Sequence, residues 1–189
     1  LANGVGFAVL ITMTMPVSGG HLNPAVSLAM WLAQKIDGRR VGLYVAAQLA
    51  GGIIGAPLIK AFFSAGVARV TSLGTPQISG ALSLGEAIAV EALLTFFLVS
   101  TVFGTTVAPA ASKVGGFAIG LALFTSALVC GSLTGAVTNP ARAFGPALAS
   151  LDWHGQIVYW IGPGLGAALA AALWRFLFLP KDATELGCH

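Results

Sequence analysis

The chain has 189 residues, 57% of them hydrophobic and only 8% charged, with a formal net charge of +3. Soluble domains carry about 25% charged residues, so there is too little charge here to cover a water-facing surface. The basic residues are too few and too scattered for nucleic acid binding, and three His, six acidic residues and two Cys form no catalytic constellation, which argues against an enzyme.

In chain order, the first apolar run, Leu1 to Met15, is short for a membrane span, which takes about 20 helical residues. The stretch Val17 to Leu22 is Gly-rich and is expected to be non-helical. Asn23-Pro24-Ala25 then reads as a helix start. Asn is among the best N-caps, and Pro is tolerated in the first turn because its missing N–H has no partner there. The helix expected over 24–33 would be about 15 Å long, half a bilayer. Long apolar runs follow at Val41 to Phe63, Gly85 to Ala108 and Gly115 to Leu133. Leu133 to Thr138 is again expected to be extended, and Asn139-Pro140-Ala141 opens a second half-length helix ending near Ser150. The last run is Gln156 to Leu179. Non-helical backbone at membrane depth is tolerated only inside protein or along a watery cavity.

Lys35, Arg39 and Arg40 lie in one connection, Lys113 in another, and Arg175 and Lys181 at the last helix end. The positive-inside rule puts these on the cytoplasmic side, with Lys60 and Arg69 opposite. Cys130 falls in a span and Cys188 in the tail, which suggests neither a disulfide nor a metal site. No secretory signal pattern is visible.

The two Asn-Pro-Ala turns stand 116 residues apart, and their surroundings repeat with them. Ser18-Gly19-Gly20 parallels Thr134-Gly135-Ala136, and Tyr44 parallels Tyr159. The chain is therefore read as one unit over 1–189, with a partial first repeat at 1–63 and a second repeat at 83–180. The second repeat holds three spans. The first shows only two, the first of them short, so an N-terminal truncation removing one helix and part of the next is expected. Three spans per repeat would place the halves in opposite orientations. The two half-helices would then meet N-terminus to N-terminus, each carrying roughly half a positive charge there. Extended stretches beside them would offer rows of backbone carbonyls. Neutral hydrogen-bonding solutes could pass such a line, while cations would meet an electrostatic barrier.

Ser-Gly-Gly-His-Leu-Asn-Pro-Ala-Val at 18–26 and Leu-Thr-Gly-Ala-Val-Thr-Asn-Pro-Ala-Arg-Ala-Phe-Gly-Pro-Ala at 133–147 resemble the two signatures of the aquaporins, the major intrinsic proteins. Tyr-Trp-Ile-Gly-Pro at 159–163 is similar to the start of that family's last helix. The resemblance covers essentially the whole chain. It implies an all-α membrane protein, an aquaporin-like inverted repeat with two re-entrant half-helices, here lacking its first transmembrane helix. It implies six spans plus two half-helices, one pore per subunit and a homotetramer; by ligand spacing no metal is expected, and no cofactor.

Residue by residue, the resemblance makes Asn23, Pro24, Ala25, Asn139, Pro140 and Ala141 the pore motifs. Arg142 matches the filter arginine. Asn3, Ala127 and Ala136 complete the filter by their spacing from the two Asn residues. The carbonyls of Gly19, Gly20, His21, Gly135, Ala136 and Val137 would line the pore, the His21 ring being mainly structural. Glu91 matches a carboxylate that buttresses the second loop, and Gln48 is a similar polar support. Asn3 and Ala127 stand where strict water channels place an aromatic ring and a His, which predicts a relaxed filter. Ala143, Ala147, Tyr159 and Trp160 follow the water-channel pattern instead.

The favoured expectation is a passive channel for water and small neutral solutes in a lipid bilayer, excluding protons and ions. The alternatives are a channel mainly for glycerol, urea, ammonia or metalloid hydroxides, and a non-conducting structural protein. An ion-coupled transporter is disfavoured, because the pore-side sequence offers no chain of acidic or histidine residues.

Overall fold

The computed structural model describes residues 2–111 and 114–180, apart from the side chain of Lys60; Lys113, Lys181 and Cys188 lie outside this description. Among the described residues the regular structure is all helical: α1 (Ala2–Ser18), α2 (Pro24–Leu32), α3 (Gly38–Phe62), α4 (Ala65–Val70), α5 (Leu84–Val102), α6 (Gly115–Thr134), α7 (Pro140–Ser150) and α8 (Val158–Leu173). α5 and α8 continue as π-turns over Phe103–Val107 and Trp174–Phe178. Four helices are long and apolar enough to cross a membrane, over Gly38–Ile59, Leu84–Val107, Gly115–Thr134 and Val158–Phe178; α1 is a shorter apolar helix. Large apolar side chains such as Phe117, Leu128 and Leu177 point outward, as lipid-facing residues do. The chain is an integral membrane protein.

The expected extended stretches are shorter than the sequence suggested. Val17 and Ser18 belong to α1, and Leu133 and Thr134 to α6. Each helix stops at a glycine in the left-handed region, Gly19 at φ 80° and Gly135 at φ 85°. The N–H of each reaches back four residues, to the carbonyls of Met15 and Gly131. A left-handed glycine after the last turn is a common helix stop, since it carries no Cβ to clash. Arg39 and Arg40 likewise sit in the first turn of α3 rather than in a connection, because Asp37 caps that helix through the Arg40 N–H.

Long-range contacts fix which ends share a face. Arg175, after α8, donates to the carbonyl of Leu32 at the end of α2. Trp174 stacks on Phe103 at the end of α5. The end of α2, the start of α3 and the ends of α5 and α8 therefore lie together, which brings Arg39, Arg40 and Arg175 to one face. On the other face, Gln77 donates to Asp152, and the Thr75 and Ser150 hydroxyls meet at 2.9 Å. α2 thus runs to one face and α7 to the other, which is an inverted arrangement.

Glycine sets the closest crossings. An added Cβ at Gly166 of α8 would lie 2.1 Å from the carbonyl oxygen of Ala92 on α5. One at Gly145 of α7 would lie 2.1 Å from that of Gly52 on α3. Gly120 of α6 similarly abuts Gly4 of α1. In lipid, helix association rests on such close packing, because burying apolar surface from lipid contributes little. The apolar core gathers where α1, α2, α5, α6 and α8 converge, around Ile11, Leu98, Val99, Phe103 and Leu123.

Candidate functional site

The sequence repeat is also a repeat of backbone geometry. Gly19, Gly20 and Leu22 have positive φ, and so do Gly135, Ala136 and Thr138, each 116 residues later. Leu22, Ala136 and Thr138 carry side chains in this region, which costs about 1–2 kcal/mol each. Such conformations persist only where surrounding bonds over-determine them.

Those bonds are present. Tyr44 donates its hydroxyl to the carbonyl of Ser18 (2.8 Å), and Tyr159 to the carbonyl of Thr134 (2.9 Å), the matching position of the other repeat. The Asn23 amide donates to the carbonyl of Thr138 (2.8 Å), and the Asn139 amide to that of Leu22 (2.9 Å). Each asparagine thereby binds the residue just before the other. Its Oδ1 caps its own helix by accepting from the N–H of Ala25, or from those of Ala141 and Arg142. The N-termini of α2 and α7 are thus locked together. Between the tyrosine-bound and asparagine-bound carbonyls lie three in each repeat, those of Gly19, Gly20 and His21 and of Gly135, Ala136 and Val137. Among the described residues these accept no hydrogen bond from the protein.

Glu91, fully buried on α5, holds the second segment. Its carboxylate accepts from the Thr134 hydroxyl (2.6 Å), the Val137 N–H (2.9 Å) and the Thr138 N–H (2.7 Å). Gln48 of α3 serves the first segment less directly. It donates to the Ser27 hydroxyl, which also meets Nδ1 of His21, while its own Oε1 has no protein partner. The His21 ring packs edge-on against Tyr44.

A cavity of about 690 Å³ lies beside this junction. Its wall includes His21, Leu22, Gln48, Asn139 and Arg142, with Phe7 and Leu10 from α1 and Gly51, Gly52 and Gly55 from α3. The Arg142 side chain is exposed to it, and Nη1 donates to the carbonyl of Gly74 at 2.8 Å. The other filter candidates are placed differently. Asn3 is exposed on α1, with Phe7 and Leu10 reaching the wall instead; Ala127 is half-buried on α6; Ala136, within the second segment, is 1% exposed. Asn139 touches the cavity, whereas Asn23 is fully buried. Gly74 was missed in the sequence, since nothing about an isolated loop glycine indicates that its carbonyl meets an arginine 68 residues away.

Two inverted half-helices joined at their N-termini between membrane spans define a membrane protein of the aquaporin fold. The profile described as "Major intrinsic protein" matches residues 1–174, and the chain belongs to that family. It is 37% identical over 182 residues to human aquaporin-4, covering 95% of this chain and 56% of that protein. It is 38% identical over 188 residues to maize aquaporin TIP4-1, covering 98% and 71%. It thus spans about half the length of the aquaporin-4 relatives it matches and more of the plant ones. In fold it is similar to the aquaglyceroporin from Plasmodium falciparum, with a TM-score of 0.79, 21% identity, and coverage of 92% of this chain and 79% of that one.

Proposed function

We propose that this chain forms the pore of a passive transmembrane channel for water and small neutral solutes, excluding protons and other ions, and that it acts as a homotetramer. The observation that carries the reading is the reciprocal bonding of Asn23 and Asn139 beside Arg142. It brings two helix N-termini, each worth roughly half a positive charge, to one point. The Arg142 guanidinium adds a full charge on the cavity wall. The six unclaimed carbonyls from Gly19 to His21 and from Gly135 to Val137 are acceptors for a passing solute. The second N–H of the Asn139 amide is a donor. Donors and acceptors without a titratable relay suit a neutral hydrogen-bonding solute, and the positive focus opposes cations. In this reading Pro24, Ala25, Pro140 and Ala141 shape the helix starts, Glu91 and Gln48 are supports, and the two repeats, 1–63 and 83–180, form one channel unit.

The test is flux through the purified protein in liposomes. Arg142→Val is expected to leave water permeability similar or higher. Proton leak should rise about tenfold, the effect of about 1.4 kcal/mol off an electrostatic barrier. An unchanged leak would assign the whole barrier to the helix termini and the Asn pair.

The solute range is wider than water in this reading on the sequence spacing of Asn3 and Ala127 alone, since neither lines the cavity beside Arg142. Asn3→Phe with Ala127→His is expected to keep water flux and to lose glycerol and urea flux about tenfold, since pore diameter and lining donors decide passage. If the unsubstituted protein passes water and neither larger solute, the relaxed filter is wrong and a plain water channel remains.

A further inference from the structure

The loop after α4 is built in an unusual way. Ser72, Leu73 and Gly74 have φ of 46°, 56° and 86°, three successive residues in the left-handed region. Only the last is a glycine, so the turn holds strain at Ser72 and Leu73. Leu73 is buried and reaches the cavity wall, and Gly74 presents its carbonyl to Arg142. What holds this turn is therefore also what places the acceptor of the arginine.

Two backbone bonds close the turn, from the Gly74 N–H to Thr71 (2.8 Å) and from the Thr75 N–H to Ser72 (3.0 Å), and the side chain of Thr75, 5% exposed, ties it to α7. The Thr75 hydroxyl donates back to the carbonyl of Ser72 at 2.7 Å and meets the Ser150 hydroxyl at 2.9 Å. Because the one hydroxyl proton of Thr75 is used on Ser72, Ser150 is the donor to Thr75. Ser150 in turn accepts from the Asp152 N–H at 3.3 Å. Gln77 to Asp152, at 2.8 Å, is a second tie between the same segments, but an exposed one open to competition from water. Ser150 ends α7, and Arg142 lies in the first turn of that helix. One short helix thus carries the arginine at one end and anchors the arginine's acceptor loop at the other.

We infer that Thr75, through Ser150 and the Ser72–Gly74 turn, is a positioning residue for Arg142 and so sets the aperture and solute range of the passage. This rests on the channel reading above, with Arg142 at the constriction. Without the Thr75 hydroxyl the turn keeps its two backbone bonds but loses its buried tie to Ser150 at the end of α7, and the Gly74 carbonyl withdraws. The guanidinium, losing its acceptor on the wall, swings across the cavity. Larger solutes are then hindered more than water.

Water and glycerol permeabilities of the protein in liposomes test this, read as their ratio. Thr75→Val is expected to lower the glycerol-to-water ratio about fivefold, the scale set by losing one net hydrogen bond. Thr75→Ser, which keeps the hydroxyl, should restore the unsubstituted ratio. Combined with Arg142→Val, Thr75→Val should have no further effect, because the arginine it acts through is gone. If Thr75→Val proves hard to recover folded, Ser150→Ala removes the partner hydroxyl from the other side and should shift the ratio in the same direction. A ratio unchanged in Thr75→Val or Ser150→Ala, while Arg142→Val alters it, overturns the inference. A shift that persists in the Arg142→Val background overturns it too, since the hydroxyl would then act elsewhere. No water flux in the unsubstituted protein, or a ratio indifferent to Arg142→Val, would instead remove the channel reading beneath it.

Discussion

Glu91→Leu is expected to abolish water flux and to destabilise the fold by about 3–5 kcal/mol, the scale of leaving three buried donors without an acceptor. Glu91 is fully buried and accepts from Thr134, Val137 and Thr138 at 2.6, 2.9 and 2.7 Å. Leucine would leave one hydroxyl and two backbone N–H groups without acceptors, each costing about 1–3 kcal/mol when buried. The backbone N–H groups belong to the second extended segment, where Ala136 and Thr138 already occupy left-handed conformations. That segment would relax, and with it the carbonyl row and the Thr138 carbonyl that receives the Asn23 amide. Glu91→Gln should fall between, because its amide oxygen still accepts while its NH₂ opposes a donor. Thermal unfolding in detergent and shrinkage of loaded liposomes measure the two effects. A Glu91→Leu protein with unchanged melting and flux would show that the carboxylate is not the support argued here.

The second large effect is steric. Gly166→Val should prevent α8 from seating on α5 and leave little folded protein. Its Cβ would lie 2.1 Å from the Ala92 carbonyl oxygen and 2.9 Å from the Phe96 nitrogen, both main-chain atoms that no rotamer change can move. Overpacking a well-filled core costs about 1–3 kcal/mol, and more when backbone must shift. Gly164, two residues away on the same helix, is the internal control: nothing lies within 4 Å of its Cβ position. Gly164→Ala is expected to be neutral or to stabilise α8 by up to about 1 kcal/mol through helix propensity alone. Recovery of monodisperse protein by size exclusion separates them. Equal recovery of Gly166→Val and Gly164→Ala would mean that the α5–α8 crossing tolerates separation.

Much of the site was legible because its chemistry is local. An Asn that caps and a Pro that opens a helix are neighbours in sequence, so α2 and α7 were readable from the two tripeptides, with α7 ending at Ser150 as expected. Tyr44 and Tyr159 stand 115 residues apart, one fewer than the motifs, so the repeat pairs them from sequence alone. Boundaries were less legible at Val17–Ser18 and Leu133–Thr134. There a glycine-rich composition suggested extended chain, but the helix runs until the first glycine that turns left-handed.

The sequence by itself determined the membrane spans, the paired half-helix starts, the internal repeat and the polar groups set within apolar runs. These follow from hydropathy, helix-cap chemistry and the rule that a charge or amide at membrane depth needs a partner. Only the tertiary structure decided who the partners are. It gave Asn139 a place on the cavity and buried Asn23, brought Phe7 and Leu10 to the wall where Asn3 was expected, and placed the Gly74 carbonyl on Arg142. It also set the left-handed turn at Ser72 and Leu73, which no local preference of those residues favours. The physical reason is range. Caps and spans are settled within a few residues of chain. Which side chain reaches a cavity, and which loop carbonyl meets an arginine, is settled by close packing at glycine crossings between helices far apart in sequence.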